Sequence, residues 1–145
     1  MEIPSAETDA WNVAEGTDQG TPSLIRYRPN LQEYMGDNRY PRRLVIIWEF
    51  EKDNSSGMPS NEQSDNMRAL EDAVVGVFDH DKYAVLAFVF TKSGIREWHF
   101  YLNDVDEAGA RINNALSELP KFPISIQVED DENWDALREV FEIVN

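Results

Sequence analysis

Apolar residues first alternate with polar ones at Trp11 and Val13, and again at Ile25 and Tyr27, with "GTDQGTP" between the two runs. Two period-two segments around turn-forming residues predict a β-hairpin over residues 11–28. The ten residues before it are polar and acidic with Pro4, and read as a loose N-terminus. "PNLQEYMGDNRYP" reads as a loop anchored by Leu31 and Tyr34. "RRLVIIWEFE" then places Leu44, Ile46, Trp48 and Phe50 on one face, while Val45 and Ile47 give way to Glu49 and Glu51 on the other. A strand apolar on both sides at its start needs cover on both sides there.

The period next changes to 3.6. "GMPSNEQSDNMRALEDAVVGVF" predicts a helix with Met67, Leu70, Val74 and Val77 inward and Arg68, Glu71 and Asp72 outward. Ser60 followed by Gln63 is a capping-box pattern at its start. "YAVLAFVF" is a strand apolar on both faces. "TKSG" predicts a hairpin turn into "IREWHFYL", where Arg96, Trp98, Phe100 and Leu102 should face a core. Asp104 and Glu107 repeat the capping pattern ahead of a helix with Val105, Ala108, Ile112, Ala115 and Leu119 inward, ended by Pro120. "FPISIQVE" predicts a strand with Phe122, Ile124, Ile126 and Val128 inward. "NWDALREVFEIV" predicts a closing helix carrying Trp134, Leu137 and Phe141.

From residue 43 the order is strand, helix, strand, strand, helix, strand, helix. That order predicts an α+β fold, a ferredoxin-like βαββαβ sandwich with an N-terminal β-hairpin and a C-terminal helix. The division is a flexible N-terminus over 1–10 and a single domain over 11–145, with the hairpin at 11–28 and the ferredoxin-like core at 43–145. That topology leaves "YAVLAFVF" at a sheet edge, where a long apolar strand invites aggregation. Either the hairpin or the last helix is expected to cover it.

Composition narrows the function. With 145 residues and 41% hydrophobic content, the chain can bury a substantial core. It has no cysteine, so neither a disulfide framework nor a thiolate metal site is expected. No apolar run is long enough to span a bilayer, and the N-terminus does not have the pattern of a secretory signal; both favour the cytoplasm. Twenty-eight acidic residues against 13 basic ones leave a net charge of −15. Such a field repels phosphate backbones and anionic membranes and favours basic proteins and cations. It is also enough, by itself, to keep a protein soluble. Residues 26–43 reverse the sign, with Arg26, Arg28, Arg39, Arg42 and Arg43 against Glu33 and Asp37; these arginines are open to pairing with acids elsewhere in the fold.

The densest acidic run is Glu129, Asp130, Asp131 and Glu132, with Asp135 just beyond and Trp134 among them. One reading makes Asp130 or Asp131 the cap of a helix starting near Glu132, where amide dipoles favour carboxylates. A second is a calcium or magnesium site, which the spacing opposes, because adjacent strand residues scatter their carboxylates. A third is an electrostatic patch for a basic protein, with Glu71 and Asp72 as further candidates. No cofactor is expected, and no catalytic motif is present. His80 lies in the turn "FDHDK" and is expected to be exposed, while His99 reads as a structural side chain within a strand. Strand aromatics such as Trp48, Phe90 and Trp98 could in principle stack RNA bases, but they are not framed by basic residues. The favoured reading is an acidic protein-binding module, an inhibitor, regulator or immunity-type partner of a basic protein such as a nuclease or toxin. The alternative is a small-molecule-sensing domain without enzymatic activity.

Trp11 with "GTPSLIRY", "GMPSNEQSDNMRALEDAV", "FVFTKSGIREWHFYL" and "VEDDENWDALREVF" occur in this order along the chain. As an ordered set they resemble a bacterial domain family of uncharacterised function, often met near or fused to the regulator of ribonuclease E activity, type B. The chain departs from relatives in a longer hairpin turn, "EGTDQGT", and in the acid-rich "EDDEN". That regulator is an acidic ferredoxin-like protein that binds and inhibits a nuclease, so the resemblance implies an analogous protein-binding role.

Overall fold

The two alternating runs at the start fold back on each other as antiparallel strands β1 (Asn12–Asp18) and β2 (Thr21–Tyr27). Gly20 sits in their turn at φ 82°, a left-handed conformation that glycine adopts without steric cost. There follow β3 (Arg42–Glu49), α1 (Asn61–Asp79), β4 (Ala84–Lys92), β5 (Ile95–Leu102), α2 (Val105–Leu116), β6 (Ile124–Asp130) and α3 (Asp135–Val144). This computed structural model describes residues 2–18, 20–50 and 58–144. The expectations for Gln19 in the hairpin turn, Glu51 at the end of β3 and Gly57 ahead of α1 lie outside the described residues.

The strands form one open antiparallel sheet in the order β1-β2-β4-β5-β3-β6, with helices on both faces, a mixed α/β architecture. β4, apolar on both sides, lies in the interior of the sheet between β2 and β5. It is the hairpin, therefore, that covers its edge. The β4–β5 turn places Ser93 and Gly94 at φ 45° and 86°, two successive positive values of the kind that match strand twist in tight hairpins.

Two cores flank the sheet. On one face Leu44, Ile46, Trp48, Trp98, Phe100 and Leu102 meet Met67, Leu70, Val74 and Phe78 of α1, and Ala108 and Ile112 of α2. Val77, expected in the α1 stripe, is only half-buried; Val75 and Phe78 take its place. On the other face Val85, Ala87, Phe88 and Tyr101 meet Leu137, Val140 and Phe141 of α3, together with Ile3, Leu31 and Tyr40. A register shift between Leu86 and Phe88 lets the neighbours Ala87 and Phe88 serve the same face.

The opening residues, read from composition as loose, place Ile3 and Ala6 in these cores. Arg28 is buried beneath them and donates to Asp9, to the Leu86 carbonyl and to the Pro4 carbonyl. Leu31 is fully buried in a 3-10 helix over Pro29–Tyr34, and the Tyr34 hydroxyl donates to the Glu2 carbonyl.

Both N-cap side chains are where the spacing predicts. Ser60 Oγ accepts the Gln63 amide and Asp104 Oδ1 accepts the Glu107 amide, each at 3.2 Å. Gln63 Oε1, however, is buried without a hydrogen-bond partner among the described residues, so the reciprocal half of that capping box is not made. β6 requires a correction. Ile126 and Val128, expected inward, are 42% and 39% exposed. β6 is an edge strand that runs on to Asp130, and the helix layer does not reach across it. Among the described residues no helix is long and apolar enough to cross a membrane.

Candidate functional site in the acidic C-terminal segment

The five acids of the C-terminal run have three different environments. Asp131 is buried and its carboxylate is a structural acceptor. It takes the Tyr101 hydroxyl at 2.8 Å, the Asp135 amide at 2.6 Å and the Ala136 amide at 3.2 Å. Asp131 therefore caps α3, which begins at Asp135 and not near Glu132. The two are separated by a turn closed from the Trp134 amide to the Asp131 carbonyl. Burial, with the Asp131 hydrogen bond second, pushes the Tyr101 hydroxyl far above the ordinary tyrosine range, so it remains a donor.

Trp134 is not part of the helix. Its φ is +58°, unusual for so bulky a residue, and the surroundings hold it there. The indole is fully buried, stacks on Tyr101 at 4.2 Å and 4°, and donates from Nε1 to the Tyr40 carbonyl at 2.9 Å. This pins the start of α3 to the sheet.

Arginines meet three more acids. The β3–β6 register sets Arg43 opposite Glu129 and Arg42 opposite Asp130, and both pairs form ion pairs. Asp135 pairs with Arg138 three residues along α3. These contacts are exposed on at least one side, where ion pairs contribute little stability. Glu132 is exposed and has no ion-pair partner among the described residues. The sequence run is thus divided: one carboxylate is buried, three are partly neutralised, and one remains open.

The free acidic surface instead follows the helix. Asp135, Arg138, Glu139 and Glu142 recur at helical spacing and are all exposed, opposite the buried Leu137, Val140 and Phe141. Beside the end of this face Ile143 is 70% exposed. It lines a cleft of about 450 Å³ with Ile25, Phe90, Val144, Gly16 and Glu15, between α3 and the β1–β2 hairpin. Glu139, Glu142 and the cleft were not singled out in the sequence, although the i, i+4, i+7 spacing of acids in "DALREVFE" is readable there.

The model of a family of unknown function, DUF695, matches residues 9–141. The chain belongs to that family. No curated protein matches it. The DUF695 match begins at Asp9, the partner of buried Arg28, and ends at Phe141 on α3, so it spans the whole sheet and all of both cores but their N-terminal members Ile3 and Ala6 and the half-buried Val144. It carries no link to the ribonuclease regulator.

The remaining sequence candidates of this DUF695 chain lie elsewhere. Glu71 and Asp72 are on α1, across the sheet from α3. Glu71 is engaged twice: it accepts a forked pair of hydrogen bonds from Arg26, and Trp98 Nε1 at 2.9 Å. Asp72 is exposed. His80 is exposed, as its turn predicts. His99 is buried, stacks on Phe88 at 4.1 Å, and shares a 2.9 Å hydrogen bond between Nε2 and Glu97. Burial draws its pKa below the usual histidine range despite that bond. Among the described residues no three His, Cys, Asp or Glu side chains converge as a metal-binding set.

Proposed function

We propose that this DUF695 chain is a non-catalytic, acidic protein-binding module of the cytoplasm, an inhibitor, regulator or immunity-type partner of a basic protein such as a nuclease. The outward face of α3 carries this reading. It offers Asp135, Glu139 and Glu142, with Glu132 in the turn before the helix and Arg138 the only base among them, and the adjoining cleft exposes Ile143 beside half-buried Phe90. An apolar centre beside a charged rim is the arrangement in which the centre supplies affinity and the rim supplies encounter rate and specificity. Glu129 and Asp130, shared with arginines on β3, would widen the rim. Asp131 has no part in contact with a partner, because its oxygens cap α3. Glu71 and Asp72 lie on the opposite face and would need a separate contact.

We read the part from β3 to β6 as a ferredoxin-like sandwich, supported by its strand order β4-β5-β3-β6 and by the helices that follow β3 and β5. The kinship with a nuclease regulator rests on that reading and on the shared acidity.

The test is affinity capture of a basic protein from lysate at low salt and at about 1 M salt, where charge contacts are screened within about 3 Å. The wild-type chain captures a basic protein that is released in high salt. The combined variant Glu132→Gln, Glu139→Gln, Glu142→Gln loses most of that capture. Capture unaffected by the triple variant, or turnover of a substrate by the purified chain, would overturn the proposal.

A further inference from the structure

The α1 side of the sheet gathers positive charge in a protein of net charge −15. Strand alternation puts Arg26 on β2, opposite Val89, and Val89 opposite Trp98, all on the face that α1 covers. The next row carries Thr91 opposite Arg96. The first three turns of α1 bring Ser64, Met67, Arg68 and Glu71 over these strands. The result is a cleft of about 320 Å³ lined by three arginines, one serine, one methionine and a single carboxylate.

The partners within this cleft leave its charge unbalanced. Glu71 is held by Arg26 and by the Trp98 indole. Arg26 is further fixed against the Trp11 ring at 5.2 Å. Arg96 donates from Nε to Thr91 Oγ1 at 2.8 Å, which aims the side chain, while its two terminal nitrogens have no acceptor among the described residues. Arg68 has no ion-pair partner among the described residues. Burial and then the neighbouring Arg26 disfavour the Arg96 cation while Glu71 favours it; a guanidinium does not lose its proton in a protein, so among the described residues the cleft holds three guanidiniums against one carboxylate. Arg28, Arg39, Arg42, Arg43, Arg111 and Arg138 each have a carboxylate partner outside this cleft.

We propose that this cleft is a binding site for a small dianion, a phosphate monoester or a dicarboxylate. Guanidinium forks match both oxygen geometries, and two of them converging on one ligand give a bidentate grip that chloride cannot use. Ser64 adds a hydroxyl donor. The volume suits a ligand of metabolite size. The carboxylate of Glu71 holds Arg26 in place and tempers the total charge. The site lies across the sheet from α3, so it is independent of the acidic surface and needs no protein partner.

The test uses the full chain at low ionic strength, titrated calorimetrically with inorganic phosphate and separately with malonate; sodium chloride is the control. At least one dianion binds with a Kd below about 10 mM, and the better of the two identifies the ligand class. Arg68→Gln, at an exposed position, and Arg96→Gln each weaken binding about tenfold or more. Arg138→Gln, on α3, leaves it unchanged. If neither dianion binds at about 10 mM, or Arg68→Gln binds as tightly as wild type, the site is refuted.

Discussion

Arg28 carries a charge into the interior, and three acceptors meet it there: Asp9 and the carbonyls of Leu86 and Pro4. Burial alone would raise the Asp9 carboxyl, but hydrogen bonds from Asn30 and Arg28 outweigh it and hold it below the ordinary range. Removing one partner of such a group strands the other. Arg28→Met is therefore expected to cost about 3–5 kcal/mol, read as a lower denaturation midpoint in urea. His99 gives a pH signature. Unfolded, its imidazole protonates below the ordinary histidine value of about 6.5, whereas in the fold burial keeps it neutral to lower pH. Between those values the unfolded chain binds more protons, so stability is intact above about 6.5 and falls as the pH drops. Glu97, Arg43 and Asp131 all act on this ring. Glu97, held below the carboxylate range chiefly by His99, and Asp9 add a further loss near pH 4 and below. Midpoints measured from pH 8 to 5 should fall in the wild type and stay nearly flat in His99→Gln.

At the scale of elements, what could be read from the sequence depended on whether local pattern and tertiary surroundings agreed. β3, β4, β5, α1 and α2 were legible because their periodicity and caps describe their own conformation. β6 was legible as a strand but not as an edge. "ISIQVE" alternates as a core strand does, and only the reach of α2 over β3 decides which isoleucine is covered. Ile46 and Ile126 are register partners, the first fully buried and the second 42% exposed. Ile46→Ala is expected to cost about 2–5 kcal/mol and Ile126→Lys less than about 0.5 kcal/mol, by urea denaturation of the two variants. Near-equal costs would mean that β6 is covered. Trp134 was misplaced into α3 for a related reason: no periodicity reports a left-handed residue held by Tyr101 and Tyr40.

For the molecule as a whole, the net charge was evident from composition, but its distribution was not. Four of the five arginines of residues 26–43 pair with distant acids, Arg26 with Glu71, Arg28 with Asp9, Arg42 with Asp130 and Arg43 with Glu129, while Arg39 pairs with its near neighbour Asp37. That partly neutralises the C-terminal run and shifts the acidic face onto α3. The cleft of Arg26, Arg68 and Arg96 was hidden altogether, since its members come from two strands and a helix far apart in the chain. Arg96 in particular alternates into an apolar set and looked like its polar exception.

The strand order also bears on how the chain comes off the ribosome. β1 and β2 are made first, yet the strand that flanks them, β4, is translated only after α1, and β3 must wait for β5. A lone two-strand ribbon is barely stable in water. On the order of seconds of elongation therefore separate the nascent hairpin from its neighbour. Throughout that interval the aromatic and β-branched stretches of the emerging polypeptide stand unpaired, a window for chaperone capture that a helix-first topology would not open.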